Sequence, residues 1–227
     1  EGAGTSGMTL TLSEARTEES RVSFAQTGTA TPGGIDVSTS PISPLIIPAG
    51  ATTANLDAVI VQDLIDEGDE TFMVTLLAPL NCSLGAIVQH TLTITDDDLP
   101  PSVSFASAGS PVVESSLGST ISIDLSAASS FDVTVPITAS GVATPGLDYT
   151  WMPGGASSIG SVIIPAGSTS GDLTFSPIQD SVVEGTENAV FTLGSPSNGS
   201  LGASTIHEVL LIDDDGAAVD VSFDSMA

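Results

Sequence analysis

The sequence predicts an all-β chain built as two tandem, antiparallel, immunoglobulin-like (Ig-like) β-sandwiches. Three observations carry this reading: composition, an internal repeat, and short period-two segments divided by turns. The 227 residues are 41% apolar and only 13% charged, rich in Gly, Pro, Ser and Thr, with no long helical pattern. That is not a disordered composition. A chain of this length holds two domains of about 100 residues, each able to bury its own core.

The repeat sets the domain boundaries. IIPAG at 46–50 recurs at 163–167, and SLGA at 83–86 recurs at 200–203. Glu67 and Glu70 recur as Glu184 and Glu187, His90 as His207, and Asp96–Asp98 as Asp213–Asp215, all 117 residues on. Nearer the front the offset falls to 113, where Glu1 matches Glu114 and ATPGGID matches ATPGLD with one residue deleted. The difference is made up in a longer loop around WMPGGASSIG. Insertions confined to loops are what a repeated fold tolerates. The copies therefore run over 1–98 and 99–215, followed by a tail at 216–227.

The strands follow in order. MTLTL (8–12) and STISIDL (119–125) alternate with period two. TFMVTLL (71–77) and AVFTL (189–193) are strand-like, as are TLTIT (91–95) and VLLI (209–212) ahead of the aspartates. Turn signals such as TPGG and PAG punctuate them at sandwich-like spacing. Copy two opens with PSVSFASAGSPVVES (101–115), read as a strand leading to Glu114, and copy one lacks a counterpart ahead of Glu1. The tail VSFDSMA (221–227) matches VSFASAG (103–109) and resembles the first strand of a further repeat. Two expectations compete. Residues 219–226 of one molecule fill the first-strand position of the next, head to tail, or the sequence is a window of a longer array that supplies this strand upstream.

Charge excludes several functions. There are 28 acidic residues, two arginines (Arg16 and Arg21) and no lysine, for a net charge of −26. Such a chain repels phosphates and anionic lipid, which argues against nucleic-acid partners and membrane-surface binding. Without lysine there is no Schiff base and no Lys–Asn crosslink. The single Cys82 makes no intrachain disulfide and reads as a small core residue. No apolar run approaches 18 residues, so no direct membrane insertion is expected. No activated serine is evident, and a carboxylate-pair glycosidase needs an aromatic-lined cleft that 4% aromatic content does not favour. An enzyme is not expected.

The acids recur at four places in each copy: just before the first long strand, after a Pro-Gly turn, in QDLIDEGDE (62–70) or QDSVVEGTE (179–187), and in the triple aspartate. Clustering like charges is costly unless a cation sits among them. Ca²⁺ takes six to eight oxygens in a flexible shell, whereas Mg²⁺ retains water and zinc wants Cys and His.

The string PAG…DLIDEGDETF…VTL…SLGA…LTITDDD resembles the Calx-β domain, over nearly the whole chain. The resemblance implies a seven-stranded β-sandwich of Calx-β type that binds calcium at loops on one end. Carried over position by position, it implies the ligands Glu1, Asp36, Asp63, Glu67, Glu70, Asp96, Asp97 and Asp98 in copy one. In copy two it implies Glu114, Asp148, Asp180, Glu184, Glu187, Asp213, Asp214 and Asp215. The calcium-binding exchanger domains have an Asp–Asp pair where this chain has Gln62–Asp63 and Gln179–Asp180, which implies fewer or weaker ions here. Asp66 and Asp69 have no acidic counterparts and are read as surface.

The expected function is a calcium-stiffened structural repeat of an extracellular or cell-surface protein, an adhesin stalk or filament subunit. Its partners would be copies of itself or neighbouring repeats, with calcium at the triple aspartate fixing the angle to the next domain. The alternative is a regulatory calcium sensor in a transporter or signalling protein. A ligand-binding adhesive tip is a third reading, with only the 149–160 loop as its site. His90, His207, Tyr149 and Trp151 are read as packing residues, and the sequons NCS (81–83) and NGS (198–200) as turns.

Overall fold

A computed structural model describes residues 2–216. Glu1 and residues 217–227 lie outside the described residues, and with them the expectations for Glu1 as a ligand and for 219–226 as a strand. The chain divides into two compact units between Leu99 and Pro100. Among the described residues every regular element is a strand.

The first unit contains β1 (Gly4–Thr11), β2 (Ser20–Gly28), β3 (Val37–Ser40), β4 (Leu45–Ile47), β5 (Thr53–Ile60), β6 (Glu70–Leu80) and β7 (Gln89–Ile94). They form two sheets, ordered β1-β5-β3 and β4-β2-β6-β7. The second unit contains β8 (Ser102–Phe105), β9 (Gly109–Val113), β10 (Ser119–Leu125), β11 (Val133–Gly141), β12 (Tyr149–Met152), β13 (Ile159–Ile164), β14 (Ser170–Pro177), β15 (Glu187–Leu193), β16 (Ser200–Leu201) and β17 (Ile206–Ile212). Its sheets run β12-β14-β10-β8-β16 and β13-β11-β15-β17-β9. Met8 faces Leu56 across β1 and β5 as Ile121 faces Leu173 across β10 and β14, so the repeat is kept in register.

Alternation places the cores. Along β11, Val133, Val135, Ile137 and Ala139 are buried while Thr134, Pro136 and Thr138 face outward or half outward. That is the period of a sheet with one covered face. Tyr149 and Trp151 are fully buried, in rings of contact with Phe175 and Phe191. The Trp151 Nε1–H donates to the Ser157 carbonyl at 2.7 Å, which anchors the longer loop.

The segment 101–115 differs from its reading as one strand. It forms two: β8 pairs antiparallel with β10, and β9 pairs parallel with β17 in the other sheet. One chain segment thus contributes a strand to both sheets, β9 at the edge of one and β8 between β10 and β16 in the other, crossing between them at residues 106–108. Val103, Phe105 and Val112 drop into the core from its two halves. Cys82 is half-buried rather than in the core, with its thiol toward the Leu80 carbonyl at 3.6 Å. The sequon asparagines Asn81 and Asn198 both adopt positive φ and donate from Nδ2 to the carbonyls of Glu19 and Asp132, at 3.0 Å in each case. Both are turn residues at equivalent places.

Candidate metal centre

The acid-bearing segments are held by hydrogen bonds that recur in the two units. After β11 the chain turns through 142–148, and Asp148 Oδ2 accepts the Thr144 N–H at 2.6 Å; Asp36 Oδ2 accepts that of Thr31 at 2.5 Å. Their own carbonyls accept from Ile178 and Val61, which ties the turn to the chain leaving β14 or β5. In the next loop, Asp180 Oδ1 accepts the Val182 N–H at 2.7 Å and Asp63 Oδ1 that of Ile65 at 2.8 Å. Gln179 and Gln62 each donate to the carbonyl of the following aspartate. The glutamines therefore stabilise the loop where an acid would add charge.

The three aspartates of each run do different things. Asp213 Oδ2 accepts from the backbone N–H of Glu184 and Gly185, and its Oδ1 from that of Asp215 at 2.9 Å. Asp96 repeats this, accepting from Glu67 and Asp98 at 3.2 Å each. The first aspartate is thus a brace that fixes the loop. The middle ones, Asp97 and Asp214, are exposed, and Asp214 accepts a hydrogen bond from the Ser115 hydroxyl. The third, Asp98 or Asp215, turns back inward and is half-buried.

Two groups of three carboxylates result, each offering oxygens within 4.8 Å of one another: Asp36, Glu67 and Glu70 in the first unit, and Glu114, Asp180 and Asp215 in the second. By the repeat these are different sets. The first corresponds to Asp148, Glu184 and Glu187; the second to Glu1, Asp63 and Asp98. In the second unit both sets adjoin: Glu184 feels, after burial, the charges of Asp148, Asp180, Glu187 and Glu114. The second unit thus gathers Glu114, Asp180 and Asp215 into one carboxylate pocket, with Asp148, Glu184 and Glu187 close enough to feel one another's charge beside it.

These pockets fit a hard dication. They offer only carboxylate oxygens, with no nitrogen or sulfur ligand. Asp98 Oδ2, Glu187 Oε2 and Asp215 Oδ2 are buried and receive no hydrogen bond. A buried anionic oxygen without a donor is costly, and a cation removes that cost.

Asp66 departs from its surface reading: it is 8% exposed. Its counterpart Val183 is half exposed, so burial of an acid here is peculiar to the first unit. Asp69 is exposed but accepts the Asp96 N–H at 3.3 Å, which braces the same loop. His207 is buried between the Ser107 carbonyl (Nδ1, 2.8 Å) and the Ser110 hydroxyl (Nε2, 3.1 Å), far in role from any carboxylate pocket, while His90 is exposed.

Glu67, Glu114, Glu184 and Glu187 are all pushed above their ordinary 4.5, and Asp215 above 3.8. Burial is the first cause in each, and neighbouring carboxylates add to it. Asp213 moves the other way, held down by the backbone N–H groups of Asp215, Gly185 and Glu184. A raised carboxylate binds its proton more tightly folded than unfolded, so it favours the fold at low pH and loses that contribution as pH rises through the folded value. Asp213 acts oppositely, but only as pH falls below 3.8. Metal-free protein is therefore expected to melt at a higher temperature at about pH 5 than at about pH 7. Calcium should reverse the order, because protons compete for the same oxygens. Melting curves at both pH values, with and without calcium, check this.

The Calx-β domain profile matches the chain twice, over residues 1–98 and 96–215. The chain belongs to the Calx-β family. This family is calcium-binding and non-catalytic, and its domains occur in exchangers and adhesin-like proteins. Among solved structures, the chain is similar to CBD12 from CALX1.2, with 15% identity, 92% of this chain and 93% of that one covered, and a TM-score of 0.42. It is also similar to the apo form of the Calx CBD1 domain, with 24% identity, 51% and 98% coverage, and a TM-score of 0.44. A third similar structure is the CupB6 tip adhesin from Pseudomonas aeruginosa, with 10% identity, 94% and 90% coverage, and a TM-score of 0.34. No match was found among curated protein sequences. No helix among the described residues is long and apolar enough to cross a membrane.

Proposed function

We propose that this protein is a calcium-stiffened structural repeat of an extracellular surface protein, serving in an adhesin stalk or as a filament subunit. One observation carries the reading: each Calx-β unit brings a group of three carboxylates together, and the last aspartate of each run, Asp98 or Asp215, buries an oxygen that receives no hydrogen bond. Calcium in these pockets ties the triple aspartate at the end of each domain to its loops and so limits the freedom of the next domain. Without calcium the carboxylates repel and the connection loosens.

The affinity range follows from charge. The glutamines Gln62 and Gln179 hydrogen-bond the loop instead of adding an acid. Fewer charges mean weaker binding, which suits extracellular modules, at roughly 10⁻⁴–10⁻³ M, better than sensors, at roughly 10⁻⁷–10⁻⁵ M. Calorimetric titration with calcium tests this. Heat of binding in the weaker range is expected; submicromolar binding favours a sensor, and no heat at all sinks the calcium reading.

The pocket geometry also ranks the acids. Asp215→Asn and Glu187→Gln remove inward oxygens and should weaken calcium binding roughly tenfold or more, since even outer partners of a bound metal act on that scale. Asp214→Asn removes an exposed carboxylate and should cost less. Asp172→Asn, on β14 outside both groups, should leave the affinity unchanged. Equal losses in all four variants would mean that bulk charge, not coordination, attracts the ion.

A further inference from the structure

The second unit has four edge strands, and three of them are blunted. β16 has two residues, β9 carries Pro111, and β12 has four residues and runs straight into Pro153. Short edges and prolines keep sheets from pairing with strands of other chains. β13 has neither protection. Its six residues, IGSVII, include no proline and no charge. Its counterpart in the first unit, β4, has three residues and lies between Pro44 and Pro48. The repeat offset of 117 puts Pro44 at the position of Ser161.

The register fixes which groups β13 leaves outward. The Ala139 N–H donates to the Ser158 carbonyl, so the antiparallel ladder between β11 and β13 bonds through Ser158, Gly160, Val162 and Ile164. Ser161 stands opposite Pro136, which has no N–H to give and whose carbonyl accepts from Gly194. The N–H and C=O groups of Ser161 and Ile163 therefore point away from β11. Among the described residues no strand pairs with that side of β13. On the outer face Ile159 and Ile163 are 68% and 57% exposed.

An open hollow of about 330 Å³ lies along this edge, lined by Met152, Pro153, Ser161, Val162, Ile163 and Asp172. Asp172 is its one charged group, and the second unit has no lysine or arginine to neutralise it. A strand added to β13 turns alternate side chains over the hollow. There an apolar side chain meets Met152 and Val162, and a cation meets Asp172. We infer that β13 is an acceptor edge for an extended segment of another protein. That segment alternates apolar with polar residues and carries lysine or arginine on its apolar face. Main-chain hydrogen bonds hold such a strand, and its alternate side chains give specificity. Charge selects the partner: a chain of net charge −26 draws in a basic segment and repels an acidic one. A second copy fits poorly, because its own β13 carries no cation for Asp172. No residue of β13 belongs to the carboxylate groups, so this inference goes beyond the calcium reading and does not depend on it.

Labelled synthetic peptides of about ten residues test it. One alternates threonine with valine and has two valines replaced by lysine; its twin has glutamate at those two places. With calcium present, the lysine peptide should bind the chain at least about tenfold more tightly than its twin, by fluorescence anisotropy. It should slow hydrogen exchange at the outward amides of Ser161 and Ile163, and leave the already bonded Val162 and Ile164 unchanged. Ser161→Pro removes an outward N–H and no ladder bond, so it should keep the melting temperature and weaken binding roughly tenfold or more. Asp172→Lys should reverse the preference between the peptides. A lysine peptide that leaves Ser161 and Ile163 unprotected would overturn the proposal. So would a Ser161→Pro chain, folded like the parent, that binds as tightly. A preference that survives Asp172→Lys would reduce the attraction to bulk charge and overturn it too. Protection of the two amides that rises with protein concentration, without peptide, would give the edge to a second copy instead. Calcium heat should be equal in the parent and Ser161→Pro, so failure of the strand edge and failure of the calcium sites are read separately.

Discussion

Ten millimolar calcium added to metal-free protein should raise its melting temperature by roughly 5–20 °C. At dissociation constants of roughly 10⁻⁴–10⁻³ M this is a ten- to hundredfold excess, which stabilises the fold by about 1.4–2.7 kcal/mol per independent site. For a domain of about 100 residues each kcal/mol moves the midpoint by roughly 4–8 °C. The source of the gain is specific. Asp98, Glu187 and Asp215 each bury an oxygen that receives no hydrogen bond, and Glu184 lies in the field of four other acids. Calcium supplies the missing partner and cancels the repulsion. Magnesium at the same concentration should do much less, because it demands near-ideal octahedral geometry and dehydrates reluctantly. An unchanged midpoint on calcium addition would remove the metal from the account of this protein.

The repeat made the fold legible. An offset of 117 aligned Glu67, Glu70 and the aspartate run with their partners, and the sheets hold Glu70 opposite Ile94 as they hold Glu187 opposite Leu211. What the alignment hid is direction. Three consecutive aspartates look alike in sequence. In the fold, the first caps backbone N–H groups, the second faces solvent and the third turns inward. This division depends on where the loop of 180–187 folds back, a tertiary fact with no local pattern. Asp66 is buried although no acid stands at its repeat position, because lacking an acidic counterpart says nothing about burial. His90 and His207 share a position, yet only His207 is buried, because β8 and β9 cover it. The 101–115 segment misled differently. A strand that changes sheets still reads as one apolar stretch, and the small residues 106–109 were the available sign of the crossing.

The repeat also carries a glycine pair that sets the acids in place. Gly28 and Gly141 end β2 and β11, at φ of 133° and 120°. Each lies over a carbonyl of the neighbouring strand: a Cβ would come within 2.0 Å of the Thr71 oxygen or 2.2 Å of the Asn188 oxygen. Those carbonyls also accept the N–H groups of Ala30 and Ala143, at the start of the turns that deliver Asp36 and Asp148. The glycine therefore lets the strand end close over its neighbour and sets the height of the acid. Gly141→Ala should destabilise the second unit by about 3 kcal/mol or more, combining left-handed backbone strain with overpacking against main chain. The midpoint should fall by roughly 10 °C or more. Calcium affinity should fall with it, since Asp148 follows the displaced turn and Glu187 opens the strand beneath. Gly167→Ala is the control. Its φ is 76°, but nothing lies within 4 Å of the added carbon, so it should cost only about 1–2 kcal/mol and leave calcium binding intact. Equal destabilisation by the two substitutions, or a Gly141→Ala protein that binds calcium as tightly as the parent, would show that the close approach does not position the acid.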